Sequence, residues 1–299
     1  MRPCLTGWAP TTGAYTPAPR VLYARAGSVY NGDTIRVGKA DMRDVAAEGD
    51  ERGIQLQRVG VRDLHLPIMV REKGGRLGHM LGVFDASVEL PHHERGTHMS
   101  RFVELLSRWS KKAVSMIEME QMVHEMAEAF DAPAVHVSLS FRYFLEKCTP
   151  ASGQLCQSDY LCRFAAELSQ GEYRFTLGVS VPIMTVCPCS MEISDEGAHS
   201  QRAILTVHLR SQRGVIVWLE DLIPLLEQQG SCDLYPLLKR ADEKWVTEAA
   251  FANPKFVEDV VRDAVLALRA LPGVDWFSAE CEAQESIHNH VAYAYAESD

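Results

Sequence analysis

An α+β fold is predicted for this chain, made of two four-stranded antiparallel units, each with helices on one face. Three observations predict it. Strand-like segments come in pairs, the helical periodicity is confined to the stretches between pairs, and the order strand-strand-helix-strand-strand occurs twice, with several helices in the second copy. The boundary falls near 169–171, which gives a poorly ordered extension at 1–54 and units at 55–169 and 170–299. No clear sequence repeat accompanies the repeated architecture. Sheets with open edges close by pairing with copies of themselves, so a symmetric oligomer is expected.

Residues 1–50 read as coil, rich in Gly, Pro and Asp. The first 32 contain no acidic residue and carry Arg2, Arg20 and Arg25 among four prolines, without the apolar core of a secretory leader. Strand patterns cover 64–70 and 81–90, followed by a polar connection at 91–96. One long amphipathic helix is predicted over 99–130, where Phe102, Leu105, Leu106, Trp109, Ala113, Met116, Ile117, Val123 and Phe130 recur at three- and four-residue intervals. Met116, Met119, Met122 and Met126 lie on it, and at this spacing they read as core filler rather than soft metal ligands. A strand at 135–146 comes next. The segments 159–168 and 173–184 form a hairpin around Ser169-Gln170-Gly171. After a strand at 203–210, helices are expected at 217–228, 234–252 and 255–271. Asn253 serves as N-cap and Pro254 as first-turn residue of the last. Strands at 274–284 and 287–296 close the chain.

The composition, 46% hydrophobic and 23% charged, is that of a globular protein with room for a sizeable core. A net charge of −10 argues against general affinity for nucleic acid, while leaving room for a local basic pocket that takes a small phosphorylated ligand. No apolar run approaches the roughly 20 residues that span a bilayer. Eight cysteines without a small-disulfide-domain pattern fit reduced thiols and a cytoplasmic location.

The chemistry concentrates in a few stretches. Cys187-Pro188-Cys189 ends an apolar strand-like run, and His199 follows twelve residues after Cys187. Cys187 or Cys189 together with His199 offers a soft thiolate and a borderline imidazole, suited to zinc or ferrous iron. One further ligand would still leave a coordination position open, as in catalytic sites. Glu285-Ser286-Ile287-His288-Asn289-His290 enters the closing strand, and on an extended strand His288 and His290 face the same side. They suit metal ligation or proton transfer. Asp242 and Glu243 interrupt an apolar helix face, where a solvated charge is the usual reading. Glu258 stands among Phe256, Val257, Val260 and Val261, a setting that predicts partial burial. Gly96 to Phe102 opens the long helix, where Thr97 or Ser100 caps it and Arg101 is placed to receive an anion. No Walker-type loop and no dinucleotide glycine fingerprint occurs.

Taken together, Gly96-Thr97-His98-Met99-Ser100-Arg101-Phe102, Cys187-Pro-Cys-Ser-x-Glu-Ile-Ser, Gly197-Ala-His-Ser-Gln-Arg and Glu285-Ser-Ile-His-Asn-His resemble GTP cyclohydrolase type IB, over roughly 55–297 and in the family's order. The resemblance implies two T-fold units in tandem, a homotetramer with its active site between subunits, and conversion of GTP and water to 7,8-dihydroneopterin triphosphate and formate at the entry to folate synthesis. It implies a divalent metal, Mn2+, Fe2+ or Zn2+, held by Cys187, His199 and Glu243. It also implies that Glu258 anchors the guanine and that His288 transfers a proton, with Glu285, Cys189 and His290 beside it. Arg101 and Arg202 are the choices for the triphosphate. Val291 stands where the family often has Asp, and Met184 where a small polar residue is usual. Within the fold the rivals are an archaeal-type cyclohydrolase giving a cyclic phosphate and an NADPH-dependent nitrile-reducing enzyme with a cysteine nucleophile. Outside enzymes, the rival is a non-catalytic metal- or pterin-binding protein.

Overall fold

The computed structural model describes residues 45–298 apart from residue 47. The expected coil and extension therefore lie, for residues 1–44, outside the described residues. Residues 46 and 48–50 run beside 93–96 through backbone bonds from Arg95 N to Glu48 O and from Gly96 N to Ala46 O.

Among the described residues, ten strands form one sheet. Its elements in chain order are β1 (Leu56–Arg71), β2 (Leu77–Leu90), α1 (Met99–Trp109), β3 (Ala113–Val114), α2 (Met116–Phe130), β4 (Ala134–Cys148), β5 (Leu155–Ser169), β6 (Glu172–Val186), α3 (Pro188–Ile193), β7 (Ser200–Ser211), α4 (Leu219–Glu227), β8 (Cys232–Asp233), α5 (Arg240–Ala252), α6 (Val257–Arg269), β9 (Val274–Ala283) and β10 (Ala292–Glu297). The strand order is β10-β9-β7-β6-β5-β4-β2-β1-β3, with β8 added on β6. The two four-strand sets anticipated from the sequence are both present and both antiparallel, and the β5–β6 hairpin joins them into a continuous sheet. The sheet is open in the single chain. No helix among the described residues is long and apolar enough to cross a membrane.

Strand alternation sets the layers. Along β4, β5 and β6 every second residue is buried, and those residues pack against the helices on one face. Phe84, Leu139, Met119, Met122, Met126 and Leu205 are fully buried there. Three of the four methionines are thus core, each with an apolar burial worth about 1.5–3 kcal/mol.

Several predicted elements are corrected. The single helix over 99–130 is two helices. Ser115 accepts from Ile117 N and caps α2, and Ala113–Val114 pairs in parallel with β1, so the chain turns between them. Trp109 Nε1 donates to Glu125 Oε2 at 2.7 Å, which folds α1 back on α2. Neither Thr97 nor Ser100 caps α1; its N-cap position is His98. Asn253 is the C-cap of α5 rather than the N-cap of α6, because Asp259 accepts from Phe256 N at 3.1 Å and starts α6 at Val257. The helix predicted from 234 starts only at Arg240, where Asp242 accepts from Lys239 N at 2.9 Å.

Asp242 is not a solvated helix charge. It is fully buried and also accepts from Ala151 N, Ser152 N and Ser152 Oγ at 2.6–2.9 Å, which pins α5 to the β4–β5 turn. Burial alone would raise its pKa, but the donors from Ser152, Lys239 and Ala151 outweigh it and hold the carboxyl well below the usual range. A second buried contact ties β4 and β5 to α4. Lys147 Nζ lies 2.6 Å from Glu227 Oε1, which also accepts from Tyr160 Oη at 2.8 Å.

A depressed folded-state pKa contributes stability above the unfolded value of about 4 and loses it as pH falls through the folded one. Asp242→Asn is therefore expected to lower Tm by several degrees at pH 7, with the gap to the wild type narrowing below about pH 4. Calorimetry across pH checks this; a gap independent of pH would contradict the carboxylate's role.

Candidate functional site

Three of the motifs and the turn before Glu258 meet at one end of the sheet, and backbone hydrogen bonds bring them there. The β6–β7 ladder ends at the Val186–Ser200 pair. One step beyond it, Cys187 N donates to His199 O at 3.1 Å, so the thiol and imidazole residues face each other across the ladder's last rung. The closing motif reaches the same end because β9 pairs with β7 up to Ala283–Ala203, and Gln284 N then donates to Arg202 O at 3.3 Å. The turn before Glu258 is tied in by Lys255 N, which donates to Val186 O at 3.0 Å.

Cys187 occupies the N-cap of α3 with Pro188 at the first helical position, and its Sγ accepts from Ser190 N at 3.4 Å. His199 is half-buried and its orientation is dictated. Its Nδ1 lies 2.8 Å from Gln201 Oε1, and Gln201 Nε2 donates to the buried Thr185 Oγ1 at 2.8 Å. An amide oxygen facing the ring requires the proton on Nδ1, which leaves the Nε2 lone pair available to a ligand. Thr185 and Gln201 are cross-strand partners, so the sheet register itself sets the tautomer. Sequence reading missed Gln201 and Thr185. The usable signal was the two-residue spacing from His199, which puts both side chains on one face of a strand.

The approach to His199 depends on Gly197, whose φ of +115° is open only to glycine and where an added Cβ would meet the Phe251 ring of α5. Cys189 is exposed in α3, two residues from Cys187.

Glu243 lies in the first turn of α5, exposed, three and seven residues before Val246 and Ala250. Those two residues pack with Val186, next to Cys187. Among the described residues no group of three or more His, Cys, Asp and Glu side chains is gathered closely enough to hold a metal. The ladder thus brings the backbones of Cys187 and His199 together, and Glu243 does not complete a metal-holding group with them among the described residues.

Glu258 is exposed, not partly buried as its neighbours suggested. The buried stripe of α6 is Val257, Val260, Val261, Ala264 and Leu268, and position 258 falls outside it. Its carboxylate still acts on β9: burial pushes the Cys281 thiol up to about 12, and Glu282 and Glu258 add to the rise.

His288 and His290 are not on a strand, because β10 begins only at Ala292 and the segment before it is a turn. Their rings nevertheless stack at 4.8 Å with 19° between planes. Glu285 Oε2 lies 3.5 Å from His288 Nε2, and His288 N donates to Glu285 O at 3.1 Å. Arg202 is exposed on β7 at this sheet end. Arg101 is not brought here. It sits on α1, which packs on β1, and its Nη1 donates to Ala129 O at 2.9 Å with the guanidinium over Phe130.

The family model described as type I GTP cyclohydrolase folE2 matches residues 42–294. The chain is 47% identical over 258 residues to GTP cyclohydrolase FolE2 of Geotalea uraniireducens, covering 86% of this chain and 94% of that protein. It is 45% identical over 256 residues to GTP cyclohydrolase FolE2 of Kosmotoga olearia, covering 86% and 98%. Among solved structures, uricase from Arthrobacter globiformis superposes with a TM-score of 0.50 at 8% identity, covering 82% of this chain and 93% of that one, a likeness of fold alone.

Replacing Gly197 with Ala is expected to cost about 1–3 kcal/mol, from a side chain forced into a glycine-only conformation. Urea unfolding of the variant checks this; an unshifted midpoint would mean that the loop before His199 carries no such constraint.

Proposed function

The chain belongs to the type I GTP cyclohydrolase FolE2 family, and from that premise we propose how its residues divide the work. The reaction is that of a GTP cyclohydrolase: water opens the five-membered ring of guanine, formate leaves, and 7,8-dihydroneopterin triphosphate is formed for folate synthesis. The observation that carries the site assignment is the apposition of Cys187 and His199 at the end of the β6–β7 ladder.

The donor set fits a divalent ion. Cys187 and His199 are backbone partners across the ladder end, and Gln201 holds Nδ1 of the ring so that Nε2 is left for a ligand, as metal-binding histidines require. Cys187 and His199 would hold the ion, with Glu243 of α5 as third ligand. This soft-to-borderline set accommodates Zn2+, Fe2+ or Mn2+. When bound, the ion supplies Lewis-acid activation of water for attack on C8 of the base.

The remaining steps belong to side chains. Glu258 accepts the N1–H and the exocyclic amine of guanine through two parallel hydrogen bonds. Adenine lacks that pair of donors, and a site built on such contacts rejects the wrong base by about 10⁴-fold. His288, oriented by Glu285, delivers a proton to the ring nitrogen as the C8–N bond breaks. His290 stacks on His288 and fixes its plane. Cys189 lines the substrate's side of α3. Arg202 is the cation of this chain placed for the triphosphate; Arg101 is engaged with α2 and could reach a substrate only across a subunit boundary.

The open sheet edges and the exposure of Glu243 and Glu258 support an oligomer in which neighbouring copies complete the site. We read that assembly as a homotetramer of tandem T-fold units, with the unit boundary at 169/170 in the β5–β6 turn. The seven described cysteines are all free, which supports a reducing cytoplasm.

Three variants test the division. Cys187→Ala is expected to lose tightly bound metal together with formate release, and full metal content with full activity would refute the ligand role. Gln201→Leu is expected to weaken metal affinity by about 10–100-fold while the fold is kept, because the His199 ring is then free to turn. Metal titration of the purified variant reads this out independently of turnover. For Glu258→Gln, kcat/KM for GTP collapses with metal content intact; an unchanged value would remove Glu258 from the substrate site.

A further inference from the structure

The sheet face opposite the helices carries a second cluster of ionisable groups. It lies around the Arg174 end of β6, twelve residues from Val186, or roughly 40 Å of extended chain. Arg58 and Arg62 of β1, Arg163 of β5 and Arg174 of β6 line a cavity of about 540 Å³ there. Strand pairing places Arg163 opposite Gly178, where the His208 ring occupies the space a side chain would take, beside the Arg163 stem.

The charges in this cavity do not cancel. Its carboxylates are Asp85 and Glu167. Asp85 is occupied by the backbone N of Asp63 at 2.9 Å, and Glu167 lies 4.0 Å from Arg174 and 3.8 Å from His136. The side chains of Arg62 and Arg163 make no hydrogen bond or ion pair among the described residues. Arg58 points its Nη2 at His136 Nδ1, 3.3 Å away, an imidazole rather than an anion. Burial is the main cause that pushes both nearby histidines down: Arg58 adds to it at His136, where Glu167 and Glu89 oppose it, and Arg163 adds to it at His208. Four guanidiniums converging on one cavity, in a chain of net charge −10, form a field that an isolated protein has no structural need to build.

We propose that this cradle is an oligophosphate-binding site, distinct from the Cys187–His199 end. Guanidiniums bind phosphate oxygens bidentately, and four of them around a cavity of this size match a chain of several phosphates better than a single carboxylate. Free oligophosphate and the tail of a nucleotide share this chemistry.

The test is calorimetric titration of the full-length protein with inorganic tripolyphosphate, and separately with ATP, whose base Glu258 would reject. Arg62→Gln and Arg163→Gln suit it, since neither leaves a carboxylate orphaned. Each is expected to weaken tripolyphosphate binding by about tenfold or more, with formate release at saturating GTP unchanged. Glu258→Gln is expected to bind tripolyphosphate as the wild type does. Tighter binding of ATP than of tripolyphosphate supports a nucleotide tail as the ligand, and the reverse supports the free anion. Wild-type affinity in both arginine variants, or no binding by the wild type, overturns the proposal. The outcomes separate it from the functional reading. Binding abolished by Glu258→Gln and spared by the arginine variants sinks the cradle alone, whereas arginine-dependent binding in a protein that releases no formate sinks the cyclohydrolase assignment alone.

Discussion

The register of β6 against β7 is the constraint on which the rest depends. Because Val186 pairs with Ser200, the next backbone bond must run from Cys187 to His199, and because Thr185 pairs with Gln201, the amide that orients His199 is fixed by the same ladder. A slip of one residue would turn every side chain to the other face, so the helix-side core enforces this register as strongly as any local contact. Buried Val181, Ile183, Ala203 and Leu205 hold it. The site is therefore a by-product of core packing, and its geometry does not depend on a flexible loop finding its place.

The remaining groups are attached to this rung at decreasing stiffness. The turn preceding α6 is bonded to Val186, so Glu258 is placed by a helix terminus. The closing motif is bonded to Arg202 only at Gln284, and His288 and His290 then depend on their own stacking and on Glu285. Such a gradient suits the assigned work. A metal ligand pair demands a fixed separation, whereas a proton donor must follow the substrate through successive ring openings. Asp242 anchors the helix that carries Glu243, and its four donors make the start of α5 one of the firmest points near the site.

Much of this was legible in the residues. Alternation along 135–146 and 173–184 marked β4 and β6, and the turn at Ser169-Gln170-Gly171 marked the hairpin that joins the two strand sets. Cys187 and His199 stood out in the residues as a thiol and an imidazole in adjacent motifs, and the ladder end makes them backbone partners. What failed was local. The apolar spacing over 99–130 continued through a region where Ser110 and Ser115 end one helix and start another, and periodicity has no term for that break. Glu258 was misjudged because four apolar neighbours in sequence do not share a helix face with it. Gln201 was passed over because its two-residue spacing from His199 gains chemical meaning only when the opposite strand supplies Thr185. The basic cradle was invisible for the same reason: Arg58, Arg62, Arg163 and Arg174 come from three strands and meet only in the folded sheet.

X-ray absorption at the zinc edge of the zinc-loaded protein tests the central claim most directly, because it reads the ligands themselves. The account predicts one sulfur scatterer at about 2.3 Å together with imidazole nitrogen. A shell of oxygen and nitrogen alone would contradict it, since the ion would then sit elsewhere than at the end of the β6–β7 ladder.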